Sequence, residues 1–131
     1  MTTELTMLVY SAVLLFLLIL VQAVLGIRAY GLPALAGARD DLPPPPPMAA
    51  RAKRVVSNHL EGLVVFAPIL LAAAVAHISN RWTVLGAELY FWGRVAHAGL
   101  YLAGVPWVRT VAFAVVVTGV VMVLAATLGL A

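Results

Sequence analysis

The feature that most constrains this chain is an uncharged run of 23 residues from Leu5 to Ile27, interrupted only by Ser11, Gln22 and a few small residues. About 20 such residues, rising about 1.5 Å each as a helix, cross the roughly 30 Å hydrocarbon core of a bilayer. A cleaved signal peptide would place Lys or Arg ahead of a shorter apolar stretch. Here the only charge before the run is Glu4, so the run reads as a retained span. Composition agrees: of 131 residues, 64% are hydrophobic and 10% charged, with mean hydropathy +1.07. A soluble domain carries about 25% charge, and a chain this short cannot hide so much apolar surface in one core. A disordered chain shows the opposite balance. The expectation is an all-α integral membrane protein.

Three further spans complete a four-transmembrane-helix bundle, a single domain over 1–131. The apolar run from Leu63 to Ile78 is short, but it lengthens backwards as a helix through Glu61, Asn58 and Arg54. Pro68 interrupts it, which neighbouring helices tolerate inside a membrane. The third span, from about Trp82 to Gly104, carries Glu88, Arg94 and His97, whereas the fourth, Thr110 to Ala131, has no charge. The expected spans are 5–28, 54–79, 82–104 and 108–130. Between the first two lies a Pro-rich loop, 31–50, where the run Pro43 to Pro47 forms a stiff polyproline II strut.

Net charge +3 and a pI near 9.8 raise the possibility of nucleic acid. The placement of the basic residues speaks against it. Arg28, Arg39, Arg51, Lys53, Arg54 and Arg109 all fall on one side of the expected topology, with only Arg81 on the other. Basic residues mark cytoplasmic loops, so both termini are expected to face away from the cytoplasm, with no nucleic-acid partner.

The chain has no cysteine, which removes disulfides and any protein-borne catalytic thiol, and its three histidines are too scattered to suggest a metal centre. Ionisable groups within a span need a partner or a cavity. On the second helix Arg51, Arg54, Asn58 and Glu61 fall within an arc of roughly 80°, and on the third Tyr90, Arg94, His97 and Tyr101 fall within roughly 60°. Two readings stand. Either Arg54 and Glu61 form a bundle-tying salt bridge with Arg94 snorkelling, or the stripes line a charged cavity at the cytoplasmic boundary for an anionic or zwitterionic ligand. Packing alone would be met by Ser, Thr or Gly, which favours the cavity. His59 lies beside the stripe and reads as a surface residue, His77 as an interfacial one. Trp82, Trp92, Trp107 and Tyr30 read as aromatic anchors or packing. Arg109, following Pro106, also fits a positive-inside anchor.

The run Arg54 to Glu61, of the form R-x-x-x-N-x-x-E, and the segment from Arg94 through His97 and Tyr101 to Pro106 and Arg109 resemble the MAPEG family, membrane-associated proteins in eicosanoid and glutathione metabolism. The chain looks like a compact bacterial branch similar to microsomal glutathione transferase. The resemblance implies a homotrimer of four-helix subunits binding glutathione as co-substrate between neighbours near the cytoplasmic surface. Arg54, Asn58 and Glu61 would hold the tripeptide from the second helix, Arg94, His97 and Tyr101 would contribute from the third, and Arg28 would come from the end of the first. Arg109 falls near the arginine that helps form the thiolate, and is the candidate catalytic residue. His97 stands where some branches have tyrosine, and Gly62 where the leukotriene-forming branch has another, which argues against leukotriene synthesis.

The implied activity is a glutathione-dependent transferase or peroxidase acting on a lipophilic small molecule, an electrophile or hydroperoxide, from the lipid bilayer. A non-catalytic member binding glutathione or another small anion is the alternative. A small four-span exporter is a third reading, with Glu88 as its only candidate coupling carboxylate.

Overall fold

The computed structural model describes residues 1–131 and is entirely helical. Helix α1 spans Thr3–Tyr30, the short α2 Leu32–Ala36, α3 Pro47–Val75, α4 Arg81–Leu102 and α5 Pro106–Thr127. Three of them, α1, α3 and α5, are long and apolar enough to cross a membrane. The 22 residues of α4 match α5 in length, but Arg81, Glu88 and Arg94 make it more polar.

Local chemistry explains the helix ends. Thr2 caps α1 by accepting from the Leu5 amide, satisfying a donor that the first turn leaves free. Asn80 and Thr83 form a reciprocal capping box at the start of α4. Proline opens both α3 and α5, where its missing N–H costs nothing and its fixed φ suits the first turn. That preference corrects the expected loop at two points. Pro47 is the first residue of α3 and not the end of the strut, so 47–50 are helical, and 32–36 form α2. Pro46 keeps extended backbone, φ −57° and ψ 157°. At the other end α3 stops at Val75, before a turn in which His77 adopts φ 56°.

The core is thin, and the outer surface is apolar. Phe66, Leu70, Ala87, Tyr90, Val116 and Val123 pack at its centre, with Phe66 and Tyr90 stacked at 3.8 Å between ring centroids. A smaller group of Leu18, Val55 and Ala98 packs nearer the end that carries the arginines. Large side chains such as Phe16, Val64 and Val111 are at least 60% exposed, as lipid-facing residues are. Helices α4 and α5 touch backbone to backbone. A Cβ at Gly119 would sit 2.5 Å from the Gly86 carbonyl oxygen, and one at Gly86 would sit 2.8 Å from the Gly119 oxygen. Small residues at such crossings allow close packing without a hydrophobic drive between helices. This contact sets how closely α4 and α5 approach each other.

Candidate functional site

The two polar stripes meet across the α3–α4 interface. Arg54 Nε donates to Tyr101 Oη at 2.8 Å, and Arg94 Nη1 donates to Asn58 Oδ1 at 2.6 Å. At the open end Arg51 Nη1 reaches the Leu102 carbonyl at 3.4 Å, where the last carbonyls of α4 lack helical partners. Three rungs thus join the helices. Arg51 serves as a cap for α4 and not as a free cation of the stripe.

Tyr101 is the hub. The Arg109 guanidinium carbon lies 4.6 Å from its ring centroid and that of Arg54 5.7 Å away, while the His97 ring is 5.6 Å distant. Cations over an aromatic face are favoured by the ring quadrupole. Residues from α3, α4 and α5 therefore converge on one phenol. Arg54 is exposed, Asn58, Tyr101 and Arg109 are partly buried, and Arg94 and His97 are buried.

Arg94 is the buried arginine of the cluster. Only 3% of it is exposed, its Nε has no partner, and its guanidinium carbon lies 5.4 Å from the Tyr90 ring centroid. Its head fills the space above Gly62: a Cβ there would overlap Nη2 and lie 2.7 Å from Cζ. The absence of a side chain at 62 is what lets an arginine enter the bundle. Burying a guanidinium is costly unless hydrogen bonds satisfy it, and Asn58 supplies one. Arg94 consequently acts on the site through Asn58, whose orientation it fixes.

His59 requires a correction. It is buried, not a surface residue, with its ring 6.0 Å from that of His97. The signal lay in helical spacing: Ala52, Val55, His59, Phe66, Leu70 and Ala73 form the buried stripe of α3. Nε2 of His59 and Nδ1 of His97 both lack hydrogen-bond partners, so the interior of the cluster contains three buried polar atoms without a partner, counting Arg94 Nε. Such atoms at a functional site call for water or ligand.

Two expected site residues stand apart. Arg28, in the last turn of α1, is exposed and makes no hydrogen bond to the cluster. Glu61 is exposed on α3, one turn beyond Asn58, and Arg54 bonds to Tyr101 instead of to this carboxylate. No group of three or more His, Asp or Glu side chains converges.

Sequence reading missed a polar cluster at the opposite end of the bundle. Glu4 is buried, and its Oε1 accepts from Thr83 Oγ1 at 2.6 Å and Ser79 Oγ at 2.7 Å. Read as a lone charge ahead of the first span, it is instead the tie between the start of α1 and the α3–α4 turn. Its position in the first turn of the helix, on the buried face with Ser11 and Leu15, was the available signal.

With Arg54, Arg94 and Arg109 in it and Glu61 outside it, the first cluster is cationic and suited to a ligand with more negative than positive groups. A family model described as MAPEG family matches residues 6–129. No curated protein and no solved structure matches.

Proposed function

The chain belongs to the MAPEG family, and from that premise we propose that it is a glutathione-dependent transferase or peroxidase acting on lipophilic electrophiles or hydroperoxides. It is a multi-pass membrane protein. On this reading α4, held between α1, α3 and α5, is the fourth span. Three subunits assemble with the cluster at their cytoplasmic boundary in the bacterial inner membrane, and both termini lie on the other side. A neighbour covers the exposed side of Arg54 and Glu61.

The observation that carries the proposal is the convergence of Arg54, His97 and Arg109 on the Tyr101 phenol, with the Arg94–Asn58 pair beside it on the same two helices. Glutathione has two carboxylates, one ammonium and one thiol. Guanidinium groups present forked donors that match carboxylates. Glu61 is the one anion on the stripe able to pair with the ammonium, and Asn58 can donate as well as accept. The exposed side of Arg54 leaves room for such a ligand, and Arg28 would reach it from a neighbouring subunit.

A thiol with pKa about 8.5 is largely protonated at neutral pH. Arg109 would favour the thiolate as its proton leaves to water, and Tyr101 fixes where that guanidinium sits. Two outcomes follow. Attack on an electrophilic carbon forms a C–S bond and expels the leaving group. Attack on the distal oxygen of a hydroperoxide releases the alcohol and gives a sulfenic acid, which a second glutathione converts to disulfide and water. The apolar outer surface would deliver either substrate from the bilayer.

The test is the ultraviolet absorbance of the thiolate on mixing glutathione with purified protein. Wild type should develop it at neutral pH, and Arg109→Ala should lose it while still binding the tripeptide. Formation of thiolate and turnover by Arg109→Ala at the wild-type level would contradict the role given to Arg109.

One observation favours the second reading, a binding protein without turnover. Arg94 is hydrogen-bonded to Asn58, and Arg54 to Tyr101, within the subunit. Glutathione binding with no thiolate signal and no adduct formation would select it. The exporter reading rests on Glu88, which is partly buried and outside the cluster.

A further inference from the structure

A cavity of about 740 Å³ includes none of the cluster residues. It follows α1 from Ile19 to Tyr30 and is bounded on its other sides by α2, the proline strut and the first turns of α3. The eleven helical steps from Ile19 to Tyr30 rise about 16 Å, half of a hydrocarbon core of roughly 30 Å. Because Ile19 is near the middle of α1, the groove extends through one leaflet, from the membrane centre to the interface on the basic side.

Its charge is confined to one end of that length, with Gln22 the polar residue at the deep end. Nine of its 14 lining residues are hydrophobic, with Ile19, Ala23 and Ile27 on the α1 wall. Its charged lining residues are Arg39 and Lys53, both exposed and both at the interfacial end, with no acid between them. Asp40 and Asp41 follow Arg39 in a turn but do not line the groove.

The backbone holds Arg39 in a particular way. Its φ is +67°, in the left-handed region that a non-glycine residue rarely occupies. Its Nε donates to the Leu35 carbonyl at 2.7 Å, which leaves the two terminal nitrogens without an intramolecular partner at the groove mouth. Strain kept at such a residue points to a use for its side chain. Beside it the Tyr30 hydroxyl donates to the Pro43 carbonyl at 2.6 Å and pins the strut to α1.

We propose that this groove binds one anionic phospholipid from the leaflet on the basic side, with its phosphate between Arg39 and Lys53 and an acyl chain along Ile27, Ala23 and Ile19. The length matches a single leaflet, and the volume falls in the range of small-molecule sites, about 300–1,000 Å³. The pair of cations without a lining acid selects an anionic headgroup over a zwitterionic one. This site is independent of the glutathione reading, since it uses none of the same residues.

The test is lipid titration of the delipidated full-length protein by native mass spectrometry, with phosphatidylglycerol and phosphatidylcholine carrying identical chains. One saturable phosphatidylglycerol per protomer is expected, bound about tenfold tighter than phosphatidylcholine, in keeping with two basic groups at an anionic headgroup. The double variant Arg39→Ala with Lys53→Ala should bring the two lipids to equal affinity, while its helical circular dichroism stays unchanged. Equal binding by wild type, or a preference that survives the double variant, would overturn the proposal. The chain has no native cysteine, so Ala23→Cys supplies a unique reporter. Disulfide-linked dimers through that cysteine in native membranes would show a second copy in the groove and would overturn it equally. Labelling of that cysteine by a lipid-soluble maleimide, blocked by phosphatidylglycerol, is the expected result.

Discussion

The guanidinium of Arg94 occupies the space that a side chain at Gly62 would fill, and from there it donates to Asn58 at 2.6 Å. A glycine on α3 and an arginine on α4 thus act as one unit. Any side chain at 62 must push the guanidinium out and break its bond to Asn58.

Gly62→Ala should therefore destabilise the protein by about 0.5–2.5 kcal/mol, the loss of a hydrogen bond to a charged group less the gain that alanine brings in helix propensity. Thermal unfolding in detergent measures it. Gly99→Ala is the control, because a Cβ at Gly99 meets nothing within 4 Å. There alanine should stabilise α4 by roughly 0.5–1 kcal/mol, through helix propensity alone. Equal effects at the two positions would mean that Arg94 leaves its place freely.

Tyr101→Phe separates two functions of one side chain. It removes the hydroxyl that accepts from Arg54 and keeps the ring beneath Arg109. Glutathione affinity should fall about tenfold, equivalent to about 1.4 kcal/mol, while the thiolate absorbance per bound ligand stays at its wild-type value. Tyr101→Leu should lose both. Calorimetry and absorbance on the same samples distinguish the cases, and an unchanged affinity in Tyr101→Phe would remove Arg54 from the binding site.

The α4–α5 crossing tolerates no added atom on its contact face. Gly119→Ala would bring a methyl to 2.5 Å from the Gly86 oxygen and 2.8 Å from the Tyr90 nitrogen. Both are backbone atoms, so the helices must separate. A loss of folded protein, or destabilisation of about 1–3 kcal/mol for an overpacked site, is expected in expression and unfolding assays. A variant as stable as wild type would show that the helices are further apart.

Glu4→Ala should loosen the end of the bundle far from the arginines. It removes the acceptor of Thr83 Oγ1 and Ser79 Oγ, but Ser79 is exposed and Thr83 can still donate to the Asn80 carbonyl, so the cost is that of the lost hydrogen bonds, about 0.5–1.5 kcal/mol each. Proteolysis of the first turn of α1 should accelerate, with glutathione affinity unchanged. Weakened glutathione binding would reveal coupling along the whole length of the bundle.

Much of this arrangement was legible in the sequence because helical period and the expense of buried charge act locally. The stripe steps on α3 and α4 placed Arg54, Asn58, Arg94 and Tyr101 on inward arcs, and the structure joins them in pairs. What remained hidden depends on contacts between distant segments. Glu4 reads as a terminal charge until Ser79 and Thr83 are brought to it across three helices. His59 reads as polar, and only the packing of α3 against the bundle shows that it is buried beside His97. Gly62 carries no side-chain signal, yet it determines where Arg94 goes. The proline run was misjudged by one residue, because Pro47 is equally suited to ending a strut and to opening a helix.

The most direct measurement is glutathione binding by titration calorimetry to the detergent-solubilised protein, with Arg54→Ala and Glu61→Ala in parallel and circular dichroism to confirm folding. Saturable binding by wild type that each substitution weakens at least about tenfold, or about 1.4 kcal/mol, is the expected result, and it would put the tripeptide on the α3 stripe. Well-folded wild-type protein that binds no glutathione, or binds it equally well without Arg54 and Glu61, would contradict it.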